Sequence, residues 1–247
     1  MRNIWIIAKK EFSQYFISPI AYSVAFLLLG IMGILFTYTL LTLSSNPTTS
    51  TVPDSRNTAY GVGFLLMLFT PALTMRLIAD ETRMGTMELL LTAPLRDYEM
   101  VVGKWLGAFM FLLLLIAITL VFPLILDKMT FNGIDHLLLI SNYLGVVLVA
   151  SALLGLGVGI SALFSNQIAA FFATLALFIV LWWLVGAPAN LLPSGGGEIF
   201  TYLSLSGQFS NNFIQGSISL SGIVYFLSVT ALGLFIGSTA VEIRRWS

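Results

Sequence analysis

The side chains that could do chemistry are concentrated in one segment of this sequence, between Arg76 and Lys104. Nine charged residues lie there, although the 247-residue chain has only 11 basic and 11 acidic residues. They are Arg76, Asp80, Glu81, Arg83, Glu88, Arg96, Asp97, Glu99 and Lys104. Hydrophobic runs long enough to cross a bilayer flank the segment, so its polar groups must face water. The chemistry that they predict is the docking of a soluble partner.

The segment has the pattern of a compact amphipathic helix that could enter a groove on another protein. Its apolar residues recur at helical spacing, and charges of opposite sign lie three or four positions apart, as in Asp80 and Arg83. Thr86 can cap such a helix, and Pro94 ends it. The candidate contact residues are Glu81, Arg83, Gly85, Thr86, Met87 and Glu88. The alternative is a solvated loop at the level of the lipid headgroups.

Other reactive combinations of residues are missing from the sequence. There is no cysteine, which excludes disulfides, thiolate metal sites and cysteine nucleophiles together. The one histidine, His136, stands in a short polar connection without the companion ligands that a metal site requires. No H-E-x-x-H motif occurs, and no aspartate pair lies in a hydrophobic span. We therefore expect a protein that is not itself an enzyme.

Composition indicates a polytopic membrane protein of the all-α class. Hydrophobic residues make up 58% of the chain, and its charged fraction of 9% is far below the quarter or so that is usual in soluble domains. The formal net charge is zero. A chain with no net charge has no electrostatic field that would attract nucleic acid, so no nucleic-acid partner is expected. The hydrophobic composition makes the lipid membrane the expected surroundings.

Six segments are apolar and long enough to span a bilayer, and together they predict a single transmembrane domain over residues 1–247. They cover residues 20–43, 60–75, 102–126, 137–164, 168–187 and 221–241. Ser18 and Pro19 open the first as N-cap and first helical residue, and that helix would be about 36 Å long. Lys104 stands near the end of the third span and could snorkel to the headgroups.

Three stretches outside the spans have patterns of their own. Residues 1–18 carry apolar side chains at helical spacing with lysines elsewhere, which predicts an amphipathic helix lying in the interface. A soluble N-terminal tail is the alternative there. Residues 76–100 form the water-facing connection described above. Residues 188–220 mix apolar and small polar residues, so they could hold short helices that dip partway into the bilayer and return.

Small residues recur within the spans at the G-x-x-x-G spacing. The pairs are Gly103 with Gly107, Gly155 with Gly159, and Gly233 with Gly237. Such faces let helices approach one another closely. We expect them to pack inside the six-helix bundle, and a seam between two copies of the chain is the alternative.

Basic residues are distributed unequally between the two sides of the predicted bundle. When both termini, the connection between the second and third spans and the turn between the fourth and fifth share one side, that side has nine Lys and Arg against two on the other. The positive-inside rule then places both termini and the polar segment in the cytoplasm.

The spans contain almost nothing that could bind and release an ion. Apart from Lys104 at one end, no ionisable residue lies at membrane depth, which argues against a secondary transporter driven by a proton relay. The sequence does not exclude sodium sites built from backbone carbonyls. The energy for any transport is therefore expected from a partner that docks on the polar segment.

Three stretches resemble the permease subunits of ABC-2 type ABC transporters, in particular the gliding-motility-associated (GldF-like) and nitrous-oxide-reductase-maturation (NosY-like) branch. They are KKEFSQYFISPIAY at 9–22, ADETRMGTMELLLTAPLRDYEMVVGKWLGA at 79–108 and GSISLSGIVYFLSVTALGLF at 216–235. The middle stretch matches the hallmark E-x-x-x-G-T-x-E-x-L-L-x-x-P of the family from Glu81 to Pro94. It is the most specific of the three.

The resemblance implies the ABC-2, or type V exporter, fold. That fold has six transmembrane helices, an interfacial elbow helix before the first, a cytoplasmic coupling helix between the second and third, and re-entrant helices before the sixth. It further implies two P-loop ABC ATPase subunits, which bind ATP and magnesium, and a second permease that is a copy or a paralogue. The implied location is the cytoplasmic (inner) membrane of a prokaryote. This chain lacks a phosphate-binding loop, since Gly103-Lys104 is followed by Trp105, so no cofactor is expected in it.

The expected function is that of a permease subunit of an ATP-driven exporter that couples ATP hydrolysis to alternating access. One alternative is a membrane anchor that transmits ATPase motion to an extracytoplasmic partner, as a motility or assembly complex would need, with residues 188–220 as the contact. The other is an ion-coupled secondary transporter that works without an ATPase.

Overall fold

The protein is described by a computed structural model that covers residues 2–45, 54–85, 96–130, 133–190 and 197–246. Within these ranges nearly every residue is helical and there is no β-strand. The α-helices are α1 (Arg2–Tyr15), α2 (Pro19–Ser45), α3 (Arg56–Thr74), α4 (Ala79–Arg83), α5 (Asp97–Thr119), α6 (Val121–Met129), α7 (His136–Leu163), α8 (Gln167–Ile179), α9 (Gly197–Leu203), α10 (Leu205–Gln208) and α11 (Leu220–Trp246).

The described residues contain six segments that are long and apolar enough to cross a bilayer. They are Pro19–Thr42, Arg56–Arg83, Asp97–Met129, His136–Leu163, Gln167–Ala189 and Leu220–Arg244. This confirms the predicted fold class of an all-α membrane protein with six spans. Helix α1 precedes the first span at the place predicted for the elbow helix.

Two helices begin several residues before the positions that the hydrophobic runs predict. Helix α3 begins at Arg56 rather than at residue 60, because its first turn is polar and adds nothing to the apolar signal. Helix α5 begins at Asp97 rather than at residue 102. Its first turn is closed by Glu99, whose Oε2 accepts a hydrogen bond from the Arg96 N–H at 3.3 Å, as in half of a capping box.

The third span is not one continuous helix. Helix α5 ends at Thr119 and α6 begins at Val121, whereas the sequence predicts an uninterrupted span over 102–126. Pro123 has no N–H to donate to the Thr119 carbonyl four residues earlier. That carbonyl instead accepts a hydrogen bond from the Tyr143 hydroxyl of α7 at 3.0 Å. A neighbouring helix thus satisfies the group that the proline leaves open.

Helix α7 is the centre of the bundle. In its most hydrophobic stretch 83% of the residues are buried, against 17% in the span formed by α2. It crosses α11 almost backbone to backbone. A Cβ atom added to Gly159 would lie 2.5 Å from the Gly233 carbonyl oxygen, and one added to Gly155 would lie 2.9 Å from the Thr230 carbonyl oxygen. These glycines therefore pack inside the bundle, as predicted.

The short helices before α11 are wedged between α3 and α7. Helix α10 continues as a π-helical turn over Phe209–Ile214, in which Phe209 and Phe213 are fully buried. A Cβ added to Gly63 of α3 would lie 2.7 Å from the Phe209 ring, and one added to Gly145 of α7 would lie 2.4 Å from the Phe213 Cβ. The described part of the predicted re-entrant segment 188–220 is therefore anchored in the bundle by two aromatic rings.

Candidate coupling site

Helices α1, α4 and the first turns of α5 meet at one end of the bundle, which we call the elbow end. Here the Lys104 ammonium of α5 lies 2.8 Å from Glu11 Oε1 of α1 and 2.7 Å from Glu81 Oε1 of α4. The lysine side chain is only 4% exposed. We call this group the ion triad. It joins three helices through one buried cation.

The predicted snorkelling of Lys104 is wrong. Its ammonium points into protein between two carboxylates, because a lysine buried this deeply needs opposite charge and hydrogen-bond acceptors to remain charged. The hydropathy pattern could not show this, because Glu11 is 93 residues away in the sequence.

Glycines on α5 bring α1 close enough to form the triad. A Cβ added to Gly103 would lie 2.8 Å from the Ile7 Cβ, and one added to Gly107 would lie 2.6 Å from the Glu11 Cβ. Larger residues at these two positions would push Glu11 away from Lys104. A second polar contact joins the same helices, since Asn3 Nδ2 donates to Glu99 Oε2 at 3.1 Å.

One serine fixes α4 to the central helix. The Ser161 hydroxyl of α7 is buried, and it accepts hydrogen bonds from the backbone N–H groups of Ile78 and Ala79, both at 3.2 Å. It donates to the Met75 carbonyl at 3.3 Å. The first N–H groups of a helix have no partner inside it. Ser161 supplies that partner at the corner between α3 and α4.

Arg76 holds the corner between α1 and α2. Its guanidinium lies 4.9 Å from the centre of the Tyr15 ring and donates a hydrogen bond to the Ser18 hydroxyl. The Tyr15 hydroxyl donates to the Leu73 carbonyl at 3.4 Å. Burial raises the pKa of Tyr15, and the positive charge of Arg76 offsets this only in part, so the phenol stays neutral. The corner is thus tied to the segment that follows α3.

The predicted contact residues separate into three groups. Glu81 belongs to the ion triad and points toward α5. Arg83 and Gly85 are exposed at the end of α4, and Gly85 has a φ of +71°, which favours glycine. The predicted coupling-helix residues Thr86, Met87 and Glu88 lie outside the described residues.

The sequence pattern gave no role in this site to Glu11, Ser161 or Asn3, and it placed Lys104 at the headgroups rather than between two carboxylates. One signal was present, because a lysine inside a hydrophobic span needs a partner of opposite charge. In the described part of the chain, no group of three or more His, Asp or Glu residues could hold a metal ion.

A family model described as ABC-2 family transporter protein matches residues 55–206, which is more than half of the chain. The chain belongs to this ABC-2 family. No curated protein matches the sequence. The matched range covers Glu81, Lys104 and Ser161, whereas Glu11 lies outside it. As an ABC-2 permease, the protein is a multi-pass membrane subunit of an ABC transporter, of a kind that is typically non-catalytic and that associates with ABC ATPases.

Proposed function

We propose that this ABC-2 permease serves an ATP-driven exporter and that the ion triad carries motion from its ATPase partners into the bundle. The observation that supports the proposal is the buried Lys104 between Glu11 and Glu81. A push on the exposed end of α4, from Arg83 to Gly85, would act on α4 directly. Through the triad, any displacement of α4 must also displace α1 and α5.

The energetics of the contact make this link stiff. Removing one partner from a buried ion pair costs about 3–5 kcal/mol, whereas an exposed pair contributes about 0–1 kcal/mol. Separating α4 from Lys104 would therefore carry a cost that the loss of an exposed ion pair does not carry. Ser161 extends the link to α7, because it binds the N–H groups at the start of α4. Rigid movement of these helices would shift a central cavity between inward and outward access.

The proposed assembly has two such permeases, identical or paralogous, on two ATPase subunits that bind ATP and magnesium. The charge asymmetry of the sequence supports a cytoplasmic elbow end with both termini in the cytoplasm. The family resemblance supports the inner membrane of a prokaryote as its location. The exposed residues Arg83, Met84 and Gly85 favour a contact just beyond α4. The resemblance at 79–108 supports the GldF-like and NosY-like branch.

A matched pair of substitutions tests the ATPase contact. Glu88→Ala is expected to weaken co-purification of the ATPase or to uncouple ATP hydrolysis from transport. Glu198→Ala makes the same chemical change at an exposed position of α9, and it should leave both unchanged. Unchanged co-purification and coupling in Glu88→Ala, Arg83→Ala and Gly85→Ala variants would refute the assignment.

A second candidate function is that of a membrane anchor that transmits ATPase motion to an extracytoplasmic partner. It is favoured by the short helices near α11, because Phe209 and Phe213 lock them to α3 and α7. Movement of the central helices would therefore move this surface. Measurements of ATP hydrolysis in proteoliposomes distinguish the two functions. The transported substrate should stimulate the ATPase of an exporter, whereas the extracytoplasmic protein partner should stimulate the ATPase of an anchor. Gradient-driven uptake without ATPase would instead reveal a secondary transporter.

A further inference from the structure

A cleft of about 600 Å³ opens beside the ion triad, between α1, the corner before α2, and α4. Its lining has equal numbers of opposite charges: Lys10, Arg76 and Lys104 against Glu11, Asp80 and Glu81. The triad already engages one of these cations and two of these anions. Within the described residues, Lys10, Arg76 and Asp80 form no salt bridge. The cleft therefore offers two cations and one anion to a ligand.

We propose that this cleft binds the headgroup of a phospholipid that carries both a phosphate and a primary amine. The position of the cleft is the first argument. Ser18 and Pro19 line it, and the first membrane span begins at Pro19, so the cleft lies at the level of the headgroups. Ile17 also lines it and is 80% exposed, which gives an acyl chain an apolar surface next to the polar cleft.

The donors on one side of the cleft suit a phosphate. The Arg76 guanidinium is held over Tyr15 and bonded to Ser18, so its orientation is fixed before a ligand arrives. A guanidinium has five N–H donors, and the bond to Ser18 leaves others for a phosphate oxygen. Lys10 adds a second cation, and Gln14 adds a neutral donor.

The acceptors on the other side select the rest of the headgroup. Asp80 presents a carboxylate that can accept hydrogen bonds from a primary ammonium. A quaternary ammonium has no N–H to donate, and proteins bind it with aromatic rings. Among the described residues, none that lines the cleft is aromatic. A purely anionic headgroup could use Lys10 and Arg76, but it would leave the Asp80 carboxylate facing it without an opposite charge. A phosphate joined to a primary amine, as in phosphatidylethanolamine, matches both sides.

Binding of defined lipids to the purified full-length chain tests this, and it needs no ATPase. Native mass spectrometry after delipidation would compare phosphatidylethanolamine, phosphatidylcholine and phosphatidylglycerol with the same acyl chains. We expect phosphatidylethanolamine to bind about fivefold more tightly than either of the others, the factor that one exposed charge contact supplies. Asp80→Asn should abolish its advantage over phosphatidylcholine.

Adjacent lysines give a matched control. Lys10→Gln should weaken phosphatidylethanolamine binding about fivefold, whereas Lys9→Gln, which removes the same charge outside the cleft, should change it less than about twofold. Equal losses in the two variants, or equal binding of the three lipids, would overturn the proposal. So would equally tight binding of soluble glycerophosphoethanolamine, which would indicate a site for a free metabolite. Protection of a Lys10→Cys variant from labelling only by a bound ATPase would assign the cleft to that protein instead.

Discussion

Substitution of Lys104 by methionine tests the role of the ion triad in holding the elbow end together. Methionine keeps most of the length and volume of the side chain and removes the charge. The carboxylates of Glu11 and Glu81, whose side chains are 10% and 21% exposed, would then face each other without the cation between them. Leaving a buried charge behind costs about 3–5 kcal/mol, and because Glu81 retains some solvent we expect about 3 kcal/mol.

The assay is thermal unfolding of the purified chain in detergent, followed by circular dichroism. For a chain of this size, about 3 kcal/mol corresponds to a fall in melting temperature of roughly 6–12 °C. Lys9→Met is the control, because Lys9 is exposed on α1 and should change stability by no more than about 0.5 kcal/mol. The triple variant Glu11→Gln, Glu81→Gln, Lys104→Met should regain most of the loss, because it leaves no charge behind. A Lys104→Met variant with a stability within about 1 kcal/mol of the natural protein would refute the reasoning. So would a triple variant that is less stable than the Lys104→Met single variant.

Three further predictions concern single contacts. Ser161→Ala should destabilise the protein by about 1–3 kcal/mol, because two backbone N–H groups of α4 lose their acceptor, and hydrogen exchange should rise there and not in α11. Gly233→Leu should prevent folding or lower the melting temperature strongly, since its Cβ would lie 2.3 Å from the Gly155 carbonyl carbon, whereas Gly30→Leu, with open space around it, should melt like the natural protein. Gly85→Ala should lower the free energy of unfolding, measured with a chemical denaturant, by about 1 kcal/mol because φ is positive at this position. An unchanged free energy of unfolding would argue against that backbone conformation.

The six spans could be predicted because each depends on a local property, an unbroken apolar run of sufficient length. The exact helix bounds depend on partners that a hydropathy pattern does not include. The break at Leu120 follows from Pro123 together with Tyr143 of another helix, and the early start of α5 follows from the Glu99 carboxylate. Proline alone did not indicate whether the third span would bend, end or continue.

The candidate site could be predicted only in part for a related reason. The concentration of charge between Arg76 and Lys104 located the region, and the motif from Glu81 to Pro94 suggested its partner. The sequence could not show that Glu81 points inward, because this depends on Glu11, which reaches Lys104 only through the close packing of α1 on Gly103 and Gly107. Ser161 belongs to no motif that would single it out. A serine in a long apolar helix can bond to the backbone of its own helix, so its type and position do not indicate a partner on another helix.

The order of the triad along the chain matters for how the protein is made. Glu11 and Glu81 both precede Lys104, so both carboxylates leave the ribosome before the lysine does. When the third span enters the bilayer, its ammonium can be neutralised at once by groups that are already at the membrane surface. A chain with the lysine first would have to expose that charge until its partners were synthesised. Helix α1 supplies one of these carboxylates, and it ends 82 residues before the third span begins at Asp97.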